Sequence, residues 1–139
     1  MSPRRPRQSD LKRAISTAYY ALFHAIAGDS ADLLVGVGAN RADRAWNQAY
    51  RAFDHGTAKN ACGQLRGLGF PSTLCDCGAA FVELQQARHS ADYDPDHRVR
   101  RADALASIAL ADKAITLLHA SDRRDRKAFA VQLLLKRRP

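Results

Sequence analysis

Residues 70–97 read Phe-Pro-Ser-Thr-Leu-Cys-Asp-Cys-Gly-Ala-Ala-Phe-Val-Glu-Leu-Gln-Gln-Ala-Arg-His-Ser-Ala-Asp-Tyr-Asp-Pro-Asp-His. Pro71 can open a helix here, because the first helical position has no use for an N–H. Leu74, Cys77, Phe81 and Leu84 then follow at intervals of three, four and three, which draws one apolar stripe down a helix. The next position on that stripe is Arg88. A permanently charged guanidinium thus continues an apolar seam, where burial is costly unless the group is paired or hydrogen-bonded. Directly after it, His89-Ser-Ala-Asp-Tyr-Asp-Pro95 crowds acids, an aromatic ring and an imidazole into a short connection. The stretch argues for a helical fold and marks the place where the chain reads as chemistry rather than packing. A structural reading stands beside this one. An Arg in a last helical turn complements the macrodipole, and Asp92, Asp94 or Asp96 can cap the next helix.

The same periodicity extends outward. Ser9 or Asp10 can cap a first helix to the Gly28–Asp29 region, with Leu11, Ile15, Ala18, Leu22 and Ile26 as its apolar line, widened by Tyr19 and Phe23. Arg13, Thr17, Tyr20 and His24 form a second line on nearly the opposite face. A helix apolar on most sides is usually central in a bundle, where His24 has a structural reading as a satisfied core or interface histidine. Asn40 with Asp43 resembles a cap for a second helix, whose inner stripe is Trp46, Ala49, Tyr50 and Phe53 and whose wet side carries Arg51 and His55. That helix is expected to break around Gly56. Gly63 to Pro71 reads as a connection in which Leu65, Leu68 and Phe70 cover one end of the core. Beyond the quoted stretch, Asp94–Asp96 is expected to begin a long helix to about Ala120, with Ala104, Ile108, Ala111, Ile115 and Leu118 inward. Ser121 restarts a short helix with Ala128, Val131 and Leu135 inward and Arg123, Arg124, Arg126 and Lys127 outward. The expected fold is all-α, an antiparallel up-and-down bundle of four main helices plus a short C-terminal helix.

The length of 139 residues suits one domain with its own core. Residues 1–8 read as a basic N-terminal tail, 9–120 as the bundle and 121–139 as a basic C-terminal helix and tail. No apolar run approaches the roughly 20 residues of a membrane span, so no membrane partner is expected. The start lacks the apolar segment of a secretory signal. Three cysteines are an odd number for a disulfide framework, and a cytoplasmic location is expected. Cys75-Asp-Cys77 lacks the usual zinc-knuckle spacing. Asp92, Asp94 and Asp96 open like a calcium loop, but His97 replaces the required glycine. Gly36-Val-Gly38 lacks the Gly-Lys-Ser/Thr of a phosphate loop. Neither a metal nor another cofactor is expected. Of the formal charge of +8, residues 1–13 carry +4, residues 121–139 carry +5 and the middle carries −1. Cationic ends around a neutral body attract phosphate backbones, or are simply solvated tails.

Two segments together carry a family resemblance: Arg13-Ala-Ile-Ser-Thr-Ala-Tyr-Tyr-Ala-Leu-Phe-His-Ala on the first helix, and Arg88-His-Ser-Ala-Asp-Tyr-Asp on the third. The chain resembles HEPN-domain proteins over roughly residues 9–120. More narrowly, it is similar to the small stand-alone bacterial and archaeal branch with an Arg-x-x-Ala-Asp-Tyr signature. The resemblance implies a helical bundle that commonly forms a homodimer, and an activity on RNA or nucleotides. Many such proteins are metal-independent endoribonucleases, often toxins of toxin–antitoxin pairs, and some partner minimal nucleotidyltransferases. A nucleotidyltransferase or antitoxin is therefore an implied partner protein.

The family's catalytic Arg is matched by Arg88. Its His falls where this chain has Tyr93, Asp94 and Pro95. The candidate catalytic residues are Arg88 for phosphorane charge and His24, His89 or His97 for proton transfer. Tyr20, Asp92, Tyr93 and Arg13 are the candidate nucleotide- or RNA-binding residues. The alternative is a non-catalytic dimeric module that binds nucleotide, RNA or a partner protein.

Overall fold

A computed structural model describes residues 7–135. The all-α class holds: these residues form a bundle of six helices and no strand. They are α1 (Gln8–Val35), α2 (Asp43–Ala52), α3 (His55–Gly63), α4 (Ser72–Tyr93), α5 (Arg101–Ala120) and α6 (Arg123–Leu134). No single helix among them is long and apolar enough to cross a membrane.

α1 buries the stripe its spacing predicts, namely Leu11, Ile15, Ala18, Leu22 and Ile26, with Tyr19 fully enclosed. It runs past its expected end. The helix continues past Asp29, whose carboxylate accepts from Arg126 Nη1 of α6 at 2.8 Å. The end comes at Gly36, whose φ of 123° suits a residue without a Cβ.

α2 differs more. Ala42 occupies its N-cap without a side-chain cap, and Asp43 pairs instead with Arg41 at 2.8 Å. The chain breaks at Phe53–Asp54, earlier than Gly56. Asp54 Oδ1 accepts the Thr57 N–H at 2.9 Å and so starts α3, a helix the sequence reading does not resolve. Arg51 and His55 consequently sit on different helices.

α4 buries Leu74, Cys77, Phe81 and Leu84 as expected, beside Tyr19, Phe53 and Leu65. α3 crosses it closely at Gly78, where a Cβ would lie 2.6 Å from Leu65 Cδ1 and 3.3 Å from Cys62 Cβ. Leu68, expected to cover the core, is 40% exposed.

α5 starts at Arg101 rather than at Asp94–Asp96, because Asp103 Oδ2 accepts the Arg100 N–H at 2.9 Å. Asp94 instead holds the Asp96 N–H at 3.0 Å within a loop. The Gln8 side chain clamps that loop to α1 by bonding both the carbonyl and the N–H of Val99. Val99 then completes a small second core with Leu11, Ile15, Ala91 and Ala104.

Two faces are rotated from expectation. On α5, Ser107 and Ala114 turn inward, while Ile108 is 47% exposed. On α6, Phe129, Ala130 and Leu133 are buried, whereas Ala128, Val131 and Leu135 face out. Arg126, expected outward, is half-buried against Asp29. Phe129 and Leu133 belong to the main core, so α6 is part of the bundle rather than an appendage. The basic tails expected at residues 1–6 and 136–139 lie outside the described residues.

Candidate functional site

Arg88 lies where the apolar stripe of α4 runs out, and its side chain is only 18% exposed. Asp92, one turn on, accepts from its Nε at 3.1 Å. Ser16 of α1 donates to that same carboxylate, which fixes it in place. The guanidinium carbon lies 5.3 Å from the Tyr20 ring centroid, 5.7 Å from Tyr19 and 5.8 Å from Tyr93. A cation among three π-faces is stabilised without being neutralised. Within the described residues, the only buried side-chain polar atoms without partners are Gln85 Oε1 and Arg126 Nε. The terminal nitrogens of Arg88, which bond no described side chain, are therefore open to solvent or a ligand.

His55 joins this site, and the sequence reading misses it. Asp54 caps α3 and turns His55 inward at the helix start, where the ring stacks on Phe23 and Tyr19 with centroids 4.7 and 5.4 Å apart. Tyr20 meets the same ring edge-on at 6.0 Å, so His55 and Arg88 share two tyrosine neighbours. Gln85, on the turn of α4 before Arg88, donates to the His55 carbonyl at 3.0 Å.

The Tyr19 hydroxyl is hydrogen-bonded to His55 Nδ1. Burial pushes the Tyr19 phenol far above its usual range, against a smaller opposing pull from Arg88, so it keeps its proton. Nδ1 is the acceptor available to that buried hydroxyl, and an unbonded O–H would be costly. The proton of the neutral ring then belongs on Nε2. Burial first, and the Arg88 cation second, hold the His55 pKa below its ordinary 6.5. At neutral pH the site therefore offers a guanidinium fork and an imidazole N–H, two donor groups suited to a phosphate.

A row along α1 ties this site to α2. Ser16, Tyr20, His24, Gly28 and Asp32 are spaced by four and form one ridge. Ser16 holds Asp92, and Tyr20 faces Arg88. His24 Nδ1 is hydrogen-bonded to the Tyr50 hydroxyl, and Tyr50 also lies 4.0 Å from the Cβ position of Gly28. Asp32 accepts from Trp46 Nε1 at 2.9 Å.

Of the remaining sequence candidates, His24 and His89 meet only tyrosine neighbours of Arg88, and His97 and Arg13 line other grooves. His24 is exposed and stacks on Tyr20 and Tyr50. His89 is exposed and packs on Tyr93 with centroids 4.9 Å apart. His97 lines a groove with Glu83, Gln86 and Ser90, on the side of α4 turned from Arg88. Arg13 lines a different groove between α1 and α5, with Asp10 and Asp112. Of the candidates, Arg88, Tyr20, Asp92 and Tyr93 converge.

The cysteines read as packing. Burial pushes the Cys62 and Cys77 thiols up to about 12, which leaves them poor nucleophiles. Among the described residues no three His, Cys, Asp or Glu side chains converge as a ligand set. No family model, curated protein or solved structure matches the chain.

Proposed function

We propose that this chain is an HEPN-like protein that binds RNA, with a backbone phosphate taken between Arg88 and His55. The observation that carries this reading is the state of Arg88. Asp92 holds its Nε edge, three tyrosine rings surround it, and its terminal nitrogens are unused within the described residues. Asp92 and Ser16 orient the guanidinium, and Tyr20 and Tyr93 offer ring faces to a neighbouring base. His55 supports the same role, because a neutral Nε2–H donates to a phosphate oxygen.

A second reading, metal-independent cleavage, is favoured by the position of one imidazole beside Arg88. In it Arg88 stabilises phosphorane charge, and His55, with Nε2 freed by a tautomer change in which Nδ1–H donates to the Tyr19 oxygen, takes the proton of the 2′-hydroxyl and returns it to the leaving 5′-oxygen. Both readings are tested together by incubating the pure protein with mixed RNA in the presence of chelator. Binding without cleavage selects the module, and cleavage that His55→Asn abolishes selects the nuclease. Arg88→Ala is expected to lower RNA affinity roughly tenfold or more, the scale of a lost charge-assisted contact. Unchanged affinity rejects the site.

We further propose a homodimer formed through α1 and α5. Leu105 and Ile108 are 55% and 47% exposed beside a groove of about 550 Å³ that Asp10, Arg13 and Asp112 border. Acidic and basic residues in one apolar groove can pair across a two-fold axis. Sedimentation at tens of micromolar is expected to show a dimer, and a monomer alone rejects it.

A further inference from the structure

We propose that an unpaired RNA strand leaves the Arg88 pocket and runs along the aromatic row over α1 and α2 to Arg41. This rests on the RNA-binding reading and extends it to residues outside the Arg88 site. From Arg88 the row passes Tyr20, His24, Tyr50 and Trp46 and ends at Arg41. Tyr20–His24, His24–Tyr50 and Tyr50–Trp46 are all stacked pairs, with centroids 6.0, 5.9 and 5.2 Å apart. A guanidinium closes each end, Arg88 at 5.3 Å from Tyr20 and Arg41 at 4.2 Å from Trp46.

The row packs on the main core through Tyr20 and Tyr50 but is not enclosed by it. α2 buries none of its residues, and Trp46 and Tyr50 stay part-exposed. The rings are nevertheless held in place, Trp46 by Asp32 and Tyr50 by His24. Ordered, part-exposed rings between cations are the combination that binds single strands, with bases on the rings and phosphates on the charges.

The spacing has a simple origin. Four residues of helix rise about 6 Å, so α1 sets the Tyr20–His24 distance and α2 the Trp46–Tyr50 distance. Four steps of 5.2–6.0 Å connect Trp46 to Arg88. That span accommodates on the order of four nucleotides, the lower end of single-strand site sizes. An RNA duplex keeps its bases stacked inside and offers them to no ring.

The test uses Trp46 as its own reporter, since it is the chain's single tryptophan. The full-length protein is titrated with oligouridylates of about three and about eight nucleotides and with a duplex of the longer length, following Trp46 emission and the anisotropy of an end-labelled strand. The longer strand is expected to bind about tenfold more tightly than the shorter and to quench Trp46. Trp46→Ala is expected to remove that advantage while leaving short-strand affinity unchanged. Because Trp46→Ala can loosen α2, Arg41→Ala is measured as well, and it is expected to weaken only the longer strand. Equal affinity for both lengths with Trp46 emission unchanged overturns the track, while continued sensitivity to Arg88→Ala leaves the parent reading standing. Duplex binding as tight as the longer single strand also overturns the track. Absence of binding to every RNA overturns both.

Discussion

The two halves of α4 obey different rules along one helical stripe. From Ser72 to Leu84 the helix buries seven residues: Leu74, Cys75, Cys77, Gly78, Ala80, Phe81 and Leu84. From Gln85 to Tyr93 it buries only Ala91. The stripe itself does not bend. Where its next position falls, Arg88 replaces an aliphatic side chain, and tyrosines together with Asp92, itself held by Ser16, supply the polar and π partners that a half-buried cation needs. The first half is thus held by shape and area, the second by charge and hydrogen bonds. Disturbing the first should unfold the protein, and disturbing the second should disarm a folded one.

The harshest test of that contrast is Phe81→Ala. Phe81 is fully buried against Tyr19 and Phe53, so its truncation should cost about 3–5 kcal/mol in urea denaturation. Next comes Gly78→Val, which places a branched side chain against Leu65 and Cys62 and should cost roughly 1–3 kcal/mol as overpacking. Arg88→Ala should lie below Phe81→Ala, at about 1–2 kcal/mol, since it removes one partly screened ion pair and the ring contacts around it. A loss as large as that of Phe81→Ala would erase the difference between the halves and make Arg88 a structural residue.

The smallest effect concerns pH. His55 resists protonation in the folded state. Above its ordinary pKa of 6.5 both states hold a neutral ring, and the group has no effect on stability. As pH falls through 6.5 the unfolded chain takes up a proton that the folded site refuses, so stability is lost on the acid side. An NMR titration of the His55 ring should give a midpoint below 6.5. Arg88→Ala should raise that midpoint only part of the way, because burial, the larger cause, remains. A midpoint unmoved by the substitution would separate His55 from the polar half of α4.

Much of this division is legible in the sequence. The intervals from Leu74 to Arg88 give both the packed stripe and its interruption, and Arg88, Asp92, Tyr93 and Tyr20, grouped as site residues by the family resemblance, lie together. His55 is not found, because Trp46, Tyr50 and Phe53 continue a helical period up to it and hide the break. The available signal is Asp54 with Thr57 three residues on, a side-chain cap that competes with helix propagation. The faces of α6 are misassigned for another reason. Ala128–Leu135 is apolar at all but Gln132, so several stripes fit equally until the Asp29–Arg126 pair and the Phe70–Phe129 contact choose one. The start of α5 is misplaced because Asp94, Asp96 and Asp103 all suit a helix start, and only the Gln8–Val99 clamp shows which part of the loop is held to α1.

The ridge of Ser16, Tyr20, His24, Gly28 and Asp32 makes α1 something like a reading frame. Each added or deleted residue turns everything beyond it by about 100°. Point substitutions on the ridge can be absorbed one contact at a time, but a single-residue indel between Ser16 and Asp32 would throw Trp46 and Tyr50 out of phase with Arg88 in one step. The loops at 36–42 and 94–100 carry no such phase and can change length more freely. In this chain, insertions and deletions should therefore collect between the helices and be purged from the middle of the first.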